Sequence, residues 1–510
     1  MESLRSAKNN SVALTAVCLA ALMFGLEISS LPVILPTLEK VLHGNLKDMQ
    51  WMMNAYTLAC TTVLMASGTL ADKFGRKLIF IITVASFGIT SLICGLSTSP
   101  SMLIITRFLQ GMSGGAMLIC QIAILSHQFQ EEKERSKAFA TWGIIFGIGL
   151  GFGPIIGGVI VSLANWRWVF LAHCPLSVIT LLLVAYSVRE SRDHNAKKLD
   201  MAGIITLSLS VFGVTYLITK GANLDFTNTN VLIIAVASVL SFILFILVEK
   251  RSSHPMFDFS VFKIRKFSGA ILGSIGMNFS FWPFMIYLPI YFQICLGYNI
   301  VSAGLSLLAY TLPTLLIPPF AERLLLKYQP RTIIPLGMFI IGLGFILMKY
   351  GSSVNHASWL TMLPGSLLAG AGLGLTNTPV TNTTTGSVPS SRAGMASGID
   401  MSARLITLAI NIAVMGFIFL RGILSNLTDS LPGLLDASHL RLLSERAASG
   451  NITFLKQEFS GLSQVNSPGT IIHSALVHGF GLVMLYAGLG VWVLAIISYK
   501  IFRLEKIDSL

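Results

Sequence analysis

Along this chain apolar residues come in long runs, separated by short stretches that carry most of the charge. A helix needs about 20 predominantly apolar residues to cross a bilayer, and that ruler predicts about fourteen spanning helices. They fall near residues 12 to 36, 50 to 70, 78 to 97, 102 to 126, 137 to 161, 168 to 188, 201 to 219, 230 to 248, 268 to 292, 302 to 320, 331 to 349, 358 to 380, 394 to 420 and 474 to 500. The first run is longer than a cleavable signal peptide, and no small-residue cleavage site followed by a soluble domain is expected there. One segment, residues 422 to 472, breaks the rhythm by mixing apolar with charged positions. It is too polar to span, so it is expected to form a small structured hairpin on the outer side, a disordered loop being the other reading.

Composition agrees with this pattern. Hydrophobic residues make up 54% of the chain and charged residues 11%, with a mean hydropathy of +0.75, whereas about a quarter of the residues of a soluble domain are charged. A multi-pass protein of the inner (plasma) membrane follows. The net charge of +13 does not point to nucleic acid, because the basic residues are spread over the loops between spans. An excess of Lys and Arg in cytoplasmic loops explains them, with an even number of spans and both termini in the cytoplasm. Cys18, Cys60, Cys94, Cys120, Cys174 and Cys295 lie in or beside apolar runs, where cysteine behaves as a small hydrophobe. Neither a disulfide nor a metal site is expected, and no cofactor.

The runs divide into halves. Residues 1 to 190 are expected to form one six-helix bundle, 191 to 250 two additional helices, and 251 to 510 a cytoplasmic linker and a second six-helix bundle. Twofold-related bundles of this kind are a common transporter plan. The fold class expected is therefore all-α, with two bundles and two extra helices.

Two motifs narrow the reading. Gly68-Thr-Leu-Ala-Asp-Lys-Phe-Gly-Arg-Lys77 sets Asp72 against Lys73, Arg76 and Lys77, with Gly68 and Gly75 at the ends of flanking spans, and reads as a tight cytoplasmic turn. In the run from Gly143 to Gly158, small residues repeat along one helix face and Pro154 can bend the span. Such a face lets a neighbouring helix approach closely. A nucleotide-binding reading fails, because no strand precedes the run and no Gly-Lys-Ser/Thr phosphate loop occurs.

With these motifs the chain resembles the major facilitator superfamily, and within it the fourteen-helix drug:proton antiporters. Gly68 to Lys77 is similar to the family's turn between helices 2 and 3, Arg107-Phe-Leu-Gln-Gly111 to its helix 4 motif, and Gly149, Gly153, Pro154, Gly157 and Gly158 to its antiporter motif. Leu26 to Pro36, with an acid nine residues before a Pro, resembles the fourteen-helix subgroup's own signature. Departures are Glu27 where Asp is usual, Pro32 for Asn, His173 for Asn, Thr407 for Gly, and Asp400 at a usually apolar position.

Ionisable residues inside a bilayer are functional candidates by default. Glu27 lies about 15 residues, or roughly 22 Å, into the first span from the inside, and Arg107 roughly 9 Å from the outside at 1.5 Å per residue. Both therefore sit in the outer half of a slab of roughly 30 Å. A carboxylate that alternates between a cationic partner and a proton is the minimum equipment for proton coupling; a permanent structural ion pair is the other reading. Asp400 and Arg404, at i,i+4, can pair within one helix. Together with Gln121, Trp142, Asn278 and Asn377 they are candidates for a substrate cavity, although interhelical hydrogen bonding explains most such polar residues. The turn motif reads as a gate, Asp72 latching onto backbone amides near Ala393 and Gly394 while holding Arg76. The glycine face of helix 5 is expected to pack against helix 8, in the second half.

The resemblance implies a proton-coupled secondary transporter that exports amphipathic organic compounds by alternating access. It would act as a monomer on a small molecule and protons, and is neither an enzyme nor a nucleic-acid binder. A metabolite, siderophore or lipid-like carrier of the same fold stays open, as does a membrane receptor that does not transport.

Overall fold

The computed structural model describes residues 2–129, 131–192, 200–220, 229–252, 259–388, 393–432, 434–448 and 468–504. All regular structure among them is helical. The apolar runs become α1 (Glu2–Leu42), α2 (Leu46–Phe74), α3 (Arg76–Gly95), α4 (Pro100–Gln128), α5 (Glu132–Leu163), α6 (Arg167–Leu171) and α7 (His173–Ser187). There follow α8 (Met201–Lys220), α9 (Thr229–Arg251), α10 (Arg265–Ile290), α11 (Ile300–Leu316), α12 (Pro318–Tyr328), α13 (Pro330–Ser352) and α14 (Trp359–Gly386). The last three are α15 (Ala393–Ser430), α16 (Ala437–Ala448) and α17 (Pro468–Leu504).

Local chemistry sets several boundaries. Ser99 accepts a hydrogen bond from the Met102 amide at 3.2 Å, just before Pro100 opens α4. Asn299 does the same for Ser302 at 2.8 Å and starts α11, and Ser358 with Thr361 forms a capping box on α14. Each satisfies amides that a helix start would otherwise leave bare.

Thirteen helical stretches among the described residues are long and apolar enough to cross a membrane. The fourteenth expected span, the second in chain order, corresponds to α2, which is helical throughout but is not among these thirteen. Further differences lie at the ends of spans. The run at 302 to 320 breaks at Ile317, where Pro318 opens α12. The segment expected as a hairpin from 422 begins instead as a continuation of α15. Ile423, Leu427 and Leu431, spaced four apart, are all buried, so the apolar stripe carries the helix on. The next part is α16, which buries Leu440 and Leu443; residues 449–467 lie outside the described part.

The chain divides into two compact units. The first holds Met1–Leu31, Met52–Gly213 and Ile233–Phe259, and the second Pro32–Trp51, Val214–Leu232 and Ser260–Leu510. In the first unit α9 has only 17% of its apolar window buried, so most of its side chains face outward as a lipid-facing helix requires. In the second, α10 is interior, with 78% of its window buried. There α13 and α14 meet backbone to backbone: a Cβ on Gly344 would lie 2.6 Å from the Gly365 carbonyl oxygen, and one on Gly372 2.6 Å from that of Gly337. Close approach through small residues is how helices gain contact where lipid is as apolar as their side chains.

Candidate functional site

The centre of the first unit is built on charges with no access to solvent. Glu27 of α1 is 1% exposed and Arg107 of α4 is fully buried. Arg107 Nη1 donates to Glu27 Oε1 in an ion pair, and also to Gln110 Oε1 at 2.8 Å. Its Nε donates to the Met52 carbonyl of α2 at 3.2 Å, and the Tyr56 ring lies 4.3 Å from the guanidinium carbon. Gln110 is itself held by donating to Ser91 Oγ at 2.8 Å.

The spacing Arg107, Gln110, Gly111 explains this arrangement. Residues three and four apart share a helix face, so the cation, its amide partner and a bare backbone patch all point the same way. A Cβ at Gly111 would lie 2.8 Å from Tyr56 Cα. Glycine therefore lets α2 come close enough to set the Tyr56 ring and the Met52 carbonyl against the cation.

His173, the first residue of α7, completes the cluster. It is 2% exposed, and its Nδ1 lies 3.4 Å from Glu27 Oε2 and 3.3 Å from the Phe170 carbonyl oxygen. Phe87 meets its ring edge-on at 5.6 Å. Glu27 Oε2, Arg107 Nη2 and His173 Nε2 are buried and make no hydrogen bond among the described residues.

The glycine run of α5 seats the segment of α1 that carries Glu27. A Cβ at Gly149 would lie 2.9 Å from the Leu22 carbonyl oxygen and one at Gly157 2.8 Å from Ser30 Cβ, while one at Gly153 would meet Ser29 Oγ. Ser29 Oγ donates to the Gly149 carbonyl at 2.9 Å. The expected partner, helix 8 of the second half, is thus corrected: the face of Gly149, Gly153 and Gly157 packs on α1, because Gly25, Ser29 and Ser30 make a complementary small-residue stripe. Gly158 is buried, and α5 runs on through Pro154.

At the turn motif, Gly75 has φ +121°, a conformation that L side chains rarely adopt. A Cβ there would lie 2.6 Å from the Glu190 carboxylate. Glu190 accepts from the amides of Lys77 and Leu78, both at 3.1 Å, and the Arg76 amide donates to the Ser191 carbonyl at 3.0 Å. The chain after α7 thus puts an anion on the N-terminus of α3, where the helix dipole favours it. A Cβ at Gly68 would lie 3.5 Å from Ile119, an ordinary contact distance. The Asp72 side chain lies outside the described part, and so does the latch it was expected to form near Ala393 and Gly394.

Gln121 and Trp142 come together, Trp142 Nε1 donating to Gln121 Oε1 at 2.8 Å. Trp142 stacks on Phe146 at 5.8 Å and 6°. In the second unit, Asp400 is 4% exposed and takes a hydrogen bond from Ser274 Oγ. Arg404 Nη2 lies 3.1 Å from Asp400 Oδ2; the same guanidinium donates to Asn377 Oδ1 at 2.5 Å and to Thr381 Oγ1 at 3.0 Å. Asn278 does not join this group, donating back to the Ser274 carbonyl of its own helix at 3.0 Å. Among the described residues no group of three metal-ligating side chains occurs.

Sequence reasoning did not assign Gln110, Glu190 or Ser274 to a site and noted His173 only as a departure. Gln110 and His173 were findable, one from its i,i+3 relation to Arg107 and the other as an ionisable residue at a span. Glu190 carried no local signal.

A multi-pass helical fold with buried charges at its centre defines a class of membrane transporter. The Major Facilitator Superfamily matches residues 17–412, and the chain belongs to that family. It is 29% identical over 403 residues to the multidrug resistance protein Stp of Mycobacterium tuberculosis, covering 79% of this chain and 74% of that protein. It is 27% identical over 490 residues to the tetracenomycin C resistance and export protein of Streptomyces glaucescens, covering 93% and 88%. With the quinolone resistance protein NorB of Staphylococcus aureus it shares 28% over 451 residues, covering 88% and 95%. In fold it is similar to a bacterial homologue of the human lysosomal transporter Spinster, solved inward-facing and unoccupied, with TM-score 0.65, 13% identity and 97% of each chain covered. A D-xylose-proton symporter matches with TM-score 0.57, 14% identity and coverage of 94% and 97%.

Proposed function

We propose that this transporter exports amphipathic organic compounds in exchange for protons, by alternating access. The observation that carries the reading is the Glu27–Arg107 pair, buried between α1 and α4. Two charges taken out of water are each costly, and their attraction offsets that cost only while both are charged. Protonating Glu27 therefore removes the reason for α1 and α4 to hold together at this point. Arg107 is not stranded when that happens, because Gln110, the Met52 carbonyl and the Tyr56 ring still receive the cation. The pair can open and close at modest cost, which a coupling site needs and a purely structural pair does not.

In this scheme a proton arriving from outside neutralises Glu27 and favours release of substrate; its loss to the inside restores the pair and resets the site. The glycine seam between α5 and α1 keeps the acid-bearing segment in register. Gln121 with Trp142, and Asn377 with Asp400 and Arg404, are proposed to line the substrate path; Asn278 is proposed beside them. Asp72 and Arg76 are proposed as a cytoplasmic latch. The printed names of three relatives, a multidrug resistance protein, an antibiotic exporter and a quinolone resistance protein, support amphipathic organic cargo. The distribution of Lys and Arg supports an inner-membrane protein with both termini inside. We read it as a monomeric carrier and not an enzyme.

The test is flux of a fluorescent organic cation in proteoliposomes under an imposed pH gradient. Wild type should concentrate the dye, and Glu27→Gln should not, while keeping its fold and insertion. Concentrative transport by Glu27→Gln would overturn the assignment.

A further inference from the structure

We propose that His173 is the first proton acceptor of the Glu27 centre, so that protons reach the carboxylate through its imidazole ring. The inference rests on the proton-coupled reading and adds a second residue to the path. Nδ1 faces two oxygens, Glu27 Oε2 at 3.4 Å and the Phe170 carbonyl at 3.3 Å. Both are acceptors, so Nδ1 carries the hydrogen and Nε2 the lone pair. Nε2 is buried and makes no hydrogen bond among the described residues. An imidazole that served only to orient Glu27 would leave this lone pair desolvated for no gain. One that relays protons needs it open.

The step balances as a transfer across the ring. A proton bonds to Nε2 and gives an imidazolium. The Nδ1–H bond then breaks as an O–H bond forms at Glu27 Oε2. The ring is left neutral with its hydrogen on Nε2, and Glu27 becomes a neutral acid, released from Arg107. Once the protein opens to the other face, the same bonds form and break in reverse, and one proton has been carried. The cluster's other titratable or charged groups, among the described residues, are Glu27 from α1, Tyr56 and Cys60 from α2, Cys94 from α3 and Arg107 from α4, with Cys174 beside His173 on α7. Arg107 is the cation among them, and it is neutralised by Glu27 until the transfer.

Asparagine and glutamine separate the relay from a positioning role, because their side-chain amides can offer an N–H towards Glu27 but cannot pass a proton on. His173→Asn and His173→Gln should each lower gradient-driven flux by about a hundredfold or more, in the range of general acid–base contributions. Their pH profiles should lose one titrating group. Substrate counterflow without a gradient, which needs no net proton movement, should stay near wild type and shows that the variants fold and bind. If both variants kept the wild-type rate and pH profile, or lost counterflow and driven flux together, the relay would be wrong and His173 structural. A wild type with no gradient-driven flux would instead remove the transport reading, and the relay with it.

Discussion

Among the described residues each unit buries a carboxylate–guanidinium pair, Glu27–Arg107 in the first and Asp400–Arg404 in the second, and these two are built differently. In the first unit Glu27 and Arg107 are on different helices and both are sealed from solvent. In the second, Asp400 and Arg404 are one turn apart on α15, and the Arg404 side chain keeps 12% of its exposure. An i,i+4 pair is held by its own helix whatever the neighbours do. Its links to α10 and α14 are hydrogen bonds through Ser274, Asn377 and Thr381, so its charge state is felt mostly locally. A pair between helices turns a change of charge into a change of packing. On physical grounds the first pair is suited to coupling and the second to organising a polar surface.

The largest expected effect follows from breaking each pair by truncating the cation. Arg107→Ala leaves Glu27 charged and buried without a counterion, which costs about 3–5 kcal/mol. A lowered unfolding temperature in detergent and no gradient-driven flux should be seen. Arg404→Ala leaves Asp400 with Ser274, and should cost about 1–3 kcal/mol, with flux reduced but still driven by the gradient. If Arg404→Ala abolished coupling and Arg107→Ala merely slowed it, the contrast drawn above would be inverted.

Next in size is the seam that seats Glu27. Gly157→Leu must push against Ser30 on α1, and overpacking of this kind typically costs about 1–3 kcal/mol. Driven flux should fall and passive proton leak in empty proteoliposomes should rise. Normal flux without leak would mean that the position of α1 does not matter to the role proposed for the Glu27–Arg107 pair. A comparable loss is expected from Gly75→Ala, which combines a strained φ with a clash against Glu190; an energetic cost of about 1–3 kcal/mol is typical of such strain. Glu190→Gln keeps the shape and should cost less, about 0.3–1 kcal/mol for a charge at a helix end. Thermal unfolding of the two variants side by side checks that order.

The smallest effect belongs to an exposed counterpart of the Glu27–His173 pair. Asp436 caps α16, accepting from the His439 amide at 2.8 Å and from Ser438 Oγ at 2.8 Å. The His439 amide above all, then Ser438, hold its carboxyl down from 3.8 to about 2. A depressed carboxylate stabilises the fold above its unfolded value and loses that contribution as pH falls through the folded one. Fraying of α16, read by amide hydrogen exchange, should therefore grow as pH drops from 3.8 towards 2 and be flat near neutrality. Exposed to water, this pair should not touch transport at all, and a transport defect in Asp436→Asn at neutral pH would contradict that.

Much of the fold was legible because a spanning helix is a local property. Twenty apolar residues in a row need nothing from the rest of the chain to be helical in lipid, since every backbone group must be satisfied within the segment. Glu27 and Arg107 stood out for the same reason, as charges where the solvent is hydrocarbon. The rotation of each helix about its axis is not local. Lipid and protein interior are equally apolar, so hydropathy does not say which face meets which neighbour. The tertiary structure alone decided that the glycines of α5 face α1, that Trp142 bonds Gln121, that Ser274 reaches Asp400 and that Glu190 closes the turn beside Gly75. The sequence by itself determined where charge would be expensive; only the packing of helices distant in the chain decided which partner makes each charge tolerable, because burial is set by composition and pairing by geometry.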